Sequence, residues 1–70
     1  MEPVERFAQN LRSLRESSGV SQEELGNRAG LHRTEVSLLE RAGREPRLRT
    51  IVTLARALGV KPAELIDGID

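Results

Sequence analysis

Several residue types are missing from this chain or nearly so, and each absence excludes a class of site. The 70 residues include no cysteine, which rules out disulfides and thiolate metal ligands. The single histidine argues against a zinc site, so we expect neither a metal nor a cofactor. No apolar run approaches the roughly 18 residues that cross a bilayer, and the start MEPVERF is not a signal peptide. The expected location is therefore the cytoplasm, without a membrane partner.

Groups that could perform catalysis are equally scarce. The sequence offers no paired carboxylates and no activated nucleophile, and no Ser, Asp or Cys constellation surrounds His32. We therefore expect no enzymatic activity and no small-molecule ligand. Phe7 is the only aromatic residue, so the core must be mostly aliphatic and its stability limited. The length suits one small domain, residues 1–70.

Net charge is zero, with 11 basic and 11 acidic residues, and this balance counts against a nucleic-acid partner. The charge is unevenly distributed, however. Residues 28–49 contain six arginines and three glutamates, whereas the chain on either side is acidic or balanced. The local field at a contact face matters more for phosphate binding than the total charge. Arginine suits bidentate contacts with guanine or phosphate, although a genome-wide bias towards arginine would give the same composition.

The spacing of apolar residues, with glycines and prolines between the groups, predicts five short helices and no strand. The helices are expected to begin near Pro3, Ser21, Arg33, Leu48 and Pro62. Ser21 is the expected N-cap of the second helix, and Glu24 three residues later completes a capping box. The predicted core consists of Phe7, Leu11, Leu14, Val20, Leu25, Ala29, Leu31, Val36, Leu39, Leu48, Ile51, Leu54, Leu58 and Val60.

The most informative stretch is QEELGNRAGLHRTEVSLLER, residues 22–41. It predicts a helix, a tight turn and a second helix that cross at a steep angle. Gly26 lets the second helix approach closely, and Gly30 supplies the left-handed residue that ends the first helix. Apolar residues mark the touching faces at Leu25, Ala29, Val36 and Leu39. This spacing is typical of a DNA-binding helix-turn-helix, whose second helix lies in the major groove.

Together these residues resemble the Cro/CI-type, or XRE-type, helix-turn-helix regulators of phages and bacteria. The resemblance extends from about Phe7 to Gly68 and rests on LRSLRESSGVSQEELGNRAGLHRTEVSLLER, on REP and on TIVTLARALGVKPAEL. It implies an all-α, compact, five-helix, lambda-repressor-like DNA-binding domain. The implied function is a transcriptional regulator that binds double-stranded DNA sequence-specifically, with its recognition helix at about 33–41.

The chain departs from the family pattern in two places. Ser or Thr often caps the third, fourth and fifth helices of the family, whereas His32, Arg47 and Lys61 occupy these positions and are poor caps. The family also has glycine directly after the pair of residues that ends the third helix. Here Ala42 holds that place, so we expect the loop to turn one residue later, at Gly43.

The outward positions of the third helix are the predicted base-reading residues: Arg33, Thr34, Ser37 and Leu38. Arg33 can bond bidentately to guanine or remain a solvated arginine. Thr34 can bond a base edge or touch a thymine methyl, and Ser37 lets the helix approach closely. Leu38 can contact a thymine methyl; the alternative is that it packs under the loop that follows.

The predicted phosphate contacts are Gln22, His32, Arg44, Arg47 and Arg49. By resemblance, Gln22 bonds a phosphate at the start of the second helix and braces the third. His32 can touch a phosphate or fill the turn, and the three arginines can line the DNA backbone or stay solvated. The resemblance also pairs Arg15 with Glu40 as a structural ion pair. Glu35 can favour the helix dipole or accept a hydrogen bond from cytosine.

One such domain buries little surface, so we expect a homodimer on a two-fold operator. Ile66 and Ile69 form the predicted dimer surface, because no core partner is evident for them, whereas Leu65 is expected to be buried. An alternative function is a protein–protein adaptor without specific DNA binding, favoured by the zero net charge and by Leu38. Among DNA-binding functions, a repressor, a restriction–modification controller and the DNA-binding partner of a toxin–antitoxin system all remain open.

Overall fold

Five helices make up the computed structural model, which describes residues 1–70 and contains no strand. Their bounds are Pro3–Ser17 (α1), Gln22–Ala29 (α2), Arg33–Glu40 (α3), Leu48–Leu58 (α4) and Pro62–Leu65 (α5). The five predicted helices are thus confirmed. Helix α2 packs against α3 and α4, α1 packs against α3 and α5, and α4 packs against α5. None of the helices is long and apolar enough to span a membrane.

The core lies where all five helices meet and is aliphatic apart from Phe7. Most predicted core residues are buried or half-buried, and Leu65 of α5 is fully buried, as expected. The prediction for Leu48 is wrong, because its side chain is 77% exposed. Leu48 is the first residue of α4, one turn before the part of that helix that reaches the core. The sequence prediction also missed the buried Ala8 and Ala55, whose small side chains permit close packing.

The N-terminus of α2 is only partly as predicted. The Ser21 hydroxyl accepts a hydrogen bond from the backbone N–H of Glu24 at 3.0 Å, so the N-cap is present. The capping box is not formed, because the Glu24 carboxylate instead binds Arg28 one turn later, at 2.6 Å. At the other end, Gly30 has a φ of +72° and ends the helix as expected. A Cβ on Gly26 would lie 2.6 Å from the carbonyl oxygen of Leu31, so only glycine fits beneath the turn.

The C-terminus of α3 corrects the prediction for the following loop. Ala42 itself has a left-handed φ of +58°, so the chain turns there and not one residue later. The Ala42 N–H bonds the carbonyl of Leu39 at 3.3 Å, and the Gly43 N–H bonds the carbonyl of Leu38 at 2.8 Å. These two bonds form a Schellman motif. Ala42 therefore occupies the position that usually carries glycine, at a steric cost.

Candidate DNA interface

A buried ion pair holds the end of α3 against the two helices before it. Arg15 Nε donates to Glu40 Oε2 at 2.6 Å, and the terminal Nη2 of Arg15 donates to Oε1 at 3.1 Å. The two side chains are only 13% and 3% exposed. Gln22 of α2 donates its amide to the same Oε1 at 3.1 Å, and Arg15 also donates to the carbonyl of Val20. The structure thus joins the two residues that the family resemblance pairs, and it links α1, α2 and α3 through one carboxylate.

The hydrogen bond from Arg15 to Glu40 is the main reason that the pKa of the guanidinium is raised. Burial acts in the opposite direction, and the negative charges of Glu40 and Glu16 raise the pKa further. Arg15 therefore stays charged, and its charge is paired with the Glu40 carboxylate inside the protein. The position of α3 is consequently set by fixed, charge-assisted hydrogen bonds.

His32 caps the other end of α3, which corrects the expectation that it is a poor cap. Its Nδ1 accepts a hydrogen bond from the backbone N–H of Thr34 at 3.1 Å. The Thr34 hydroxyl oxygen lies 2.6 Å from the same nitrogen. Both side chains remain exposed at the start of the helix. At α4 and α5 the expectation is confirmed, since neither Arg47 nor Lys61 caps with its side chain.

The outward face of α3 presents polar and basic groups. Arg33 and Thr34 are exposed, and Ser37 one turn later is half-buried. Arg41 was not among the residues predicted to contact DNA, but it lies four residues after Ser37, on the same side of the helix. Its Nε donates to the Ser37 carbonyl at 3.3 Å, and the side chain is exposed. The i, i+4 spacing from Ser37 was the available signal.

Leu38 lies against the loop that follows α3. The side chain is half-buried, and a Cβ added to Gly43 would be 3.1 Å from its Cδ2 atom. This contact favours packing under the loop over contact with a thymine methyl. It also removes one of the two features that favoured an adaptor function, because Leu38 is not a freely exposed apolar side chain.

The candidate phosphate-contacting residues differ in how free they are. Gln22 already donates one amide hydrogen to Glu40, which leaves the second available. Arg44 is bound to the carboxylate of Glu35, so part of its charge is neutralised and Glu35 is occupied. Arg44 and Arg47 line a cleft of about 370 Å³ beside Glu35, whereas Arg49 is exposed outside it. The arginines of this region that form no ion pair are Arg33, Arg41, Arg47 and Arg49.

The two predicted dimer residues have different surroundings. Ile66 is 45% exposed, directly after α5. Ile69 is half-buried and packs against the core, so the expectation that it lacks a core partner is wrong. Both residues line an apolar groove of about 140 Å³ whose other walls include Phe7, Pro46 and Ile51. No group of three or more His, Cys, Asp or Glu side chains is placed to hold a metal ion.

Two short helices, α2 and α3, are joined by a tight turn at Gly30, and the second exposes a polar and basic face; this is the arrangement of a helix-turn-helix domain. A family model described as helix-turn-helix matches residues 11–65, which is most of the chain. The chain belongs to this family, the Cro/CI-type (XRE-type) helix-turn-helix transcriptional regulators predicted from the sequence.

Individual relatives agree with this assignment. The control protein C.BamHI of Bacillus amyloliquefaciens is 44% identical over 62 residues, covering 87% of this chain and 76% of the relative. The restriction-modification controller protein C.AhdI of Aeromonas hydrophila superposes with a TM-score of 0.86 at 44% identity, covering 89% of this chain and 94% of its own. The P22 c2 repressor bound to a synthetic operator superposes with a TM-score of 0.80 at 27% identity, covering 89% and 94%. The predicted lambda-repressor-like fold is therefore confirmed.

Proposed function

We propose that this protein is a sequence-specific, double-stranded-DNA-binding transcriptional regulator that acts as a symmetric dimer and controls a restriction–modification system. It would work in the bacterial cytoplasm, where its operator lies, and would need no cofactor. Membership of the regulator family supports DNA binding. The control proteins among its relatives support the particular role, because C.BamHI and C.AhdI match most of their length.

The observation that carries this proposal is the exposed face of α3 on a rigid support. Arg33 and Thr34 project from the first turn of α3, which is the part of a recognition helix that meets base edges. Arg33 has no partner within the protein and can bond bidentately to guanine O6 and N7. At the far end of the helix, the Arg15–Glu40 pair connects α3 to α1 and, through Gln22, to α2.

Phosphate contacts would come from both sides of α3. Gln22 lies at the start of α2 with one amide hydrogen free, and Arg47 lies at the uncapped N-terminus of α4. The unpaired N–H groups at a helix N-terminus attract an anion, so α4 can add backbone donors to the charge of Arg47. Arg41 and Arg49 are exposed and form no ion pair, and we include both as phosphate contacts. Arg44 contributes less, because Glu35 holds it.

Titration of duplex DNA at several salt concentrations tests this function. We expect affinity to fall steeply with salt, and each arginine–phosphate contact contributes roughly 0.9 to the logarithmic slope. Arg47→Ala should reduce the slope by about one such contact per protomer. Arg12→Ala is the matched control, because Arg12 is paired with Glu16 on α1 and should leave the slope unchanged.

Duplexes from upstream of the protein's own gene and of neighbouring endonuclease or methyltransferase genes should bind more tightly than shuffled sequences of equal composition. Equal binding to all of these duplexes would reject sequence specificity. Absence of binding even at low salt would instead favour the adaptor alternative.

A further inference from the structure

We propose that His32 fixes the Thr34 hydroxyl as a hydrogen-bond acceptor, so that the protein selects adenine or cytosine at the base facing Thr34. This inference rests on the proposed function, since it concerns which base the recognition helix accepts. His32 is a positioning residue here, and Thr34 is the group that meets the base.

The argument begins with the proton on the imidazole. The backbone N–H of Thr34 can only donate, and it points at Nδ1 of His32 at 3.1 Å. Nδ1 must therefore be the ring nitrogen without a hydrogen, and Nε2 carries the proton of the neutral ring. The hydrogen-bond geometry at the start of α3 thus selects one tautomer.

The same nitrogen decides the direction of the Thr34 hydroxyl. The hydroxyl oxygen lies 2.6 Å from Nδ1, which has no hydrogen to offer. At this distance a lone pair of the oxygen would repel that of the ring, so the hydroxyl directs its only proton to Nδ1 and shares the single lone pair of the ring with the backbone N–H of Thr34. The exposed side of Oγ1 then carries only lone pairs. This oxygen can accept a hydrogen bond from a base but cannot donate one.

An acceptor in the major groove distinguishes the bases. Adenine N6 and cytosine N4 carry hydrogens there, whereas guanine N7 and O6 and thymine O4 present only acceptors. Guanine or thymine opposite Thr34 would place two acceptors against each other. Arg33 is the complementary case, because a guanidinium can only donate and favours guanine. The start of α3 therefore presents a donor-only and an acceptor-only side chain in adjacent positions.

Selection of preferred sites from a random duplex pool, followed by affinity measurements on single-base variants, tests this proposal. Thr34→Val removes the hydroxyl at nearly constant shape and identifies the base position that depends on it. The parent should prefer adenine or cytosine at that position by about tenfold, the value of one hydrogen bond. His32→Gly should abolish most of this preference, because the freed hydroxyl can then donate as well as accept. Glycine is a tolerated N-cap, so α3 should still form.

Two controls separate this role from a merely structural one. Ser21→Gly removes the equivalent side-chain cap of α2 and should leave base preference unchanged. In the Thr34→Val background, His32→Gly should no longer alter preference at that position. The proposal is overturned if the parent selects guanine or thymine there, if Thr34→Val alters no position, or if folded His32→Gly keeps the preference. A parent that binds no DNA would refute the proposed function itself.

Discussion

At the scale of single residues, the Glu40 carboxylate is the point at which three helices are joined. It accepts two hydrogen bonds from Arg15 and one from Gln22, and it is almost completely buried. A buried charge is costly unless it is fully paired, so the loss of one partner should matter far more than at a surface ion pair. The positioning of the recognition helix therefore depends on residues that do not contact the bases.

Arg15→Ala and Glu40→Ala should each destabilise the protein by about 1–3 kcal/mol, because each leaves a partly buried charged group without its hydrogen-bond partner. Thermal and denaturant unfolding would measure the loss. The double variant should lose much less than the sum of the two single variants, and DNA binding should weaken with Arg15→Ala. Arg12→Ala breaks an exposed pair and should cost less than about 1 kcal/mol. Additive effects of Arg15→Ala and Glu40→Ala would show that the pair does not act as a unit.

Arg33 and Leu38 lie on the same helix but should respond differently to truncation. Arg33→Ala should leave the unfolding free energy nearly unchanged and relax the preference for guanine at one base position. Leu38→Ala should lower stability by about 1–2 kcal/mol and alter base preference little, because the side chain packs on Gly43. Site selection and denaturant unfolding of both variants would distinguish the two roles. If the Leu38→Ala protein is fully stable but its base preference is altered, Leu38 contacts a base.

At the scale of the elements, α3 ends in a Schellman motif without the usual glycine. Ala42 adopts the left-handed conformation that closes this motif, and Gly43 follows it at a normal φ. The helix end is thus formed by backbone hydrogen bonds that outweigh the strain at one alanine.

Ala42→Gly should therefore stabilise the protein, by about 0.5–1 kcal/mol, because removal of the Cβ relieves strain that exceeds the added chain entropy. The shift of the denaturant midpoint at constant slope would measure it. Ala63→Gly in α5 is the matched control and should destabilise, since Ala63 has helical geometry and loses only helix propensity. A destabilised Ala42→Gly variant would mean that the loop requires the Ala42 methyl group for packing.

The segment after α5 is also fixed by one side chain. The amide of Asn10 donates to the carbonyls of Leu65 and Asp67, at 2.9 and 2.8 Å. These bonds satisfy the carbonyls on either side of Ile66, at and just after the end of α5. They link α1 to the segment that carries Ile66, across more than 50 residues of sequence.

At the scale of the whole molecule, size is the reason to expect two copies. The protein measures 30 × 22 × 21 Å, so one recognition helix can cover only part of an operator. Two protomers side by side can place their α3 helices about 34 Å apart, the spacing of successive major grooves on one face of DNA. Ile66, exposed at the rim of the apolar groove, is the proposed centre of the contact.

Ile66→Glu should yield a folded monomer that binds a single half-site weakly, because a charge replaces an exposed apolar contact. Sedimentation equilibrium and footprinting on one preferred site would show both effects. Ile69→Glu should also reduce stability, since Ile69 packs on the core. Leu48→Gln is the matched control, because Leu48 is exposed outside the groove and should leave the dimer intact. If Leu48→Gln dissociates the dimer and Ile66→Glu does not, the dimer interface lies at the start of α4 and not at Ile66.

The sequence by itself determined the order and type of all five helices and the family. The signals that predicted the helices are local: the spacing of apolar residues, the glycines at Gly26 and Gly30, and the Ser21 cap. Local signals can be interpreted from the sequence without knowledge of how the helices pack. The Arg15–Glu40 pair came from the resemblance, since no local rule joins residues 25 positions apart.

Only the tertiary structure decided which side chains are free to act. Arg44 forms an ion pair with Glu35, so it is not free to bind phosphate. Leu48 is exposed and Leu38 is half-buried, although both are leucines in the first or last turn of a helix. These outcomes depend on competition among several possible partners and on where each helix end lies relative to the core. Both are properties of the assembled chain, because they are set by distances that exist only after the helices have packed.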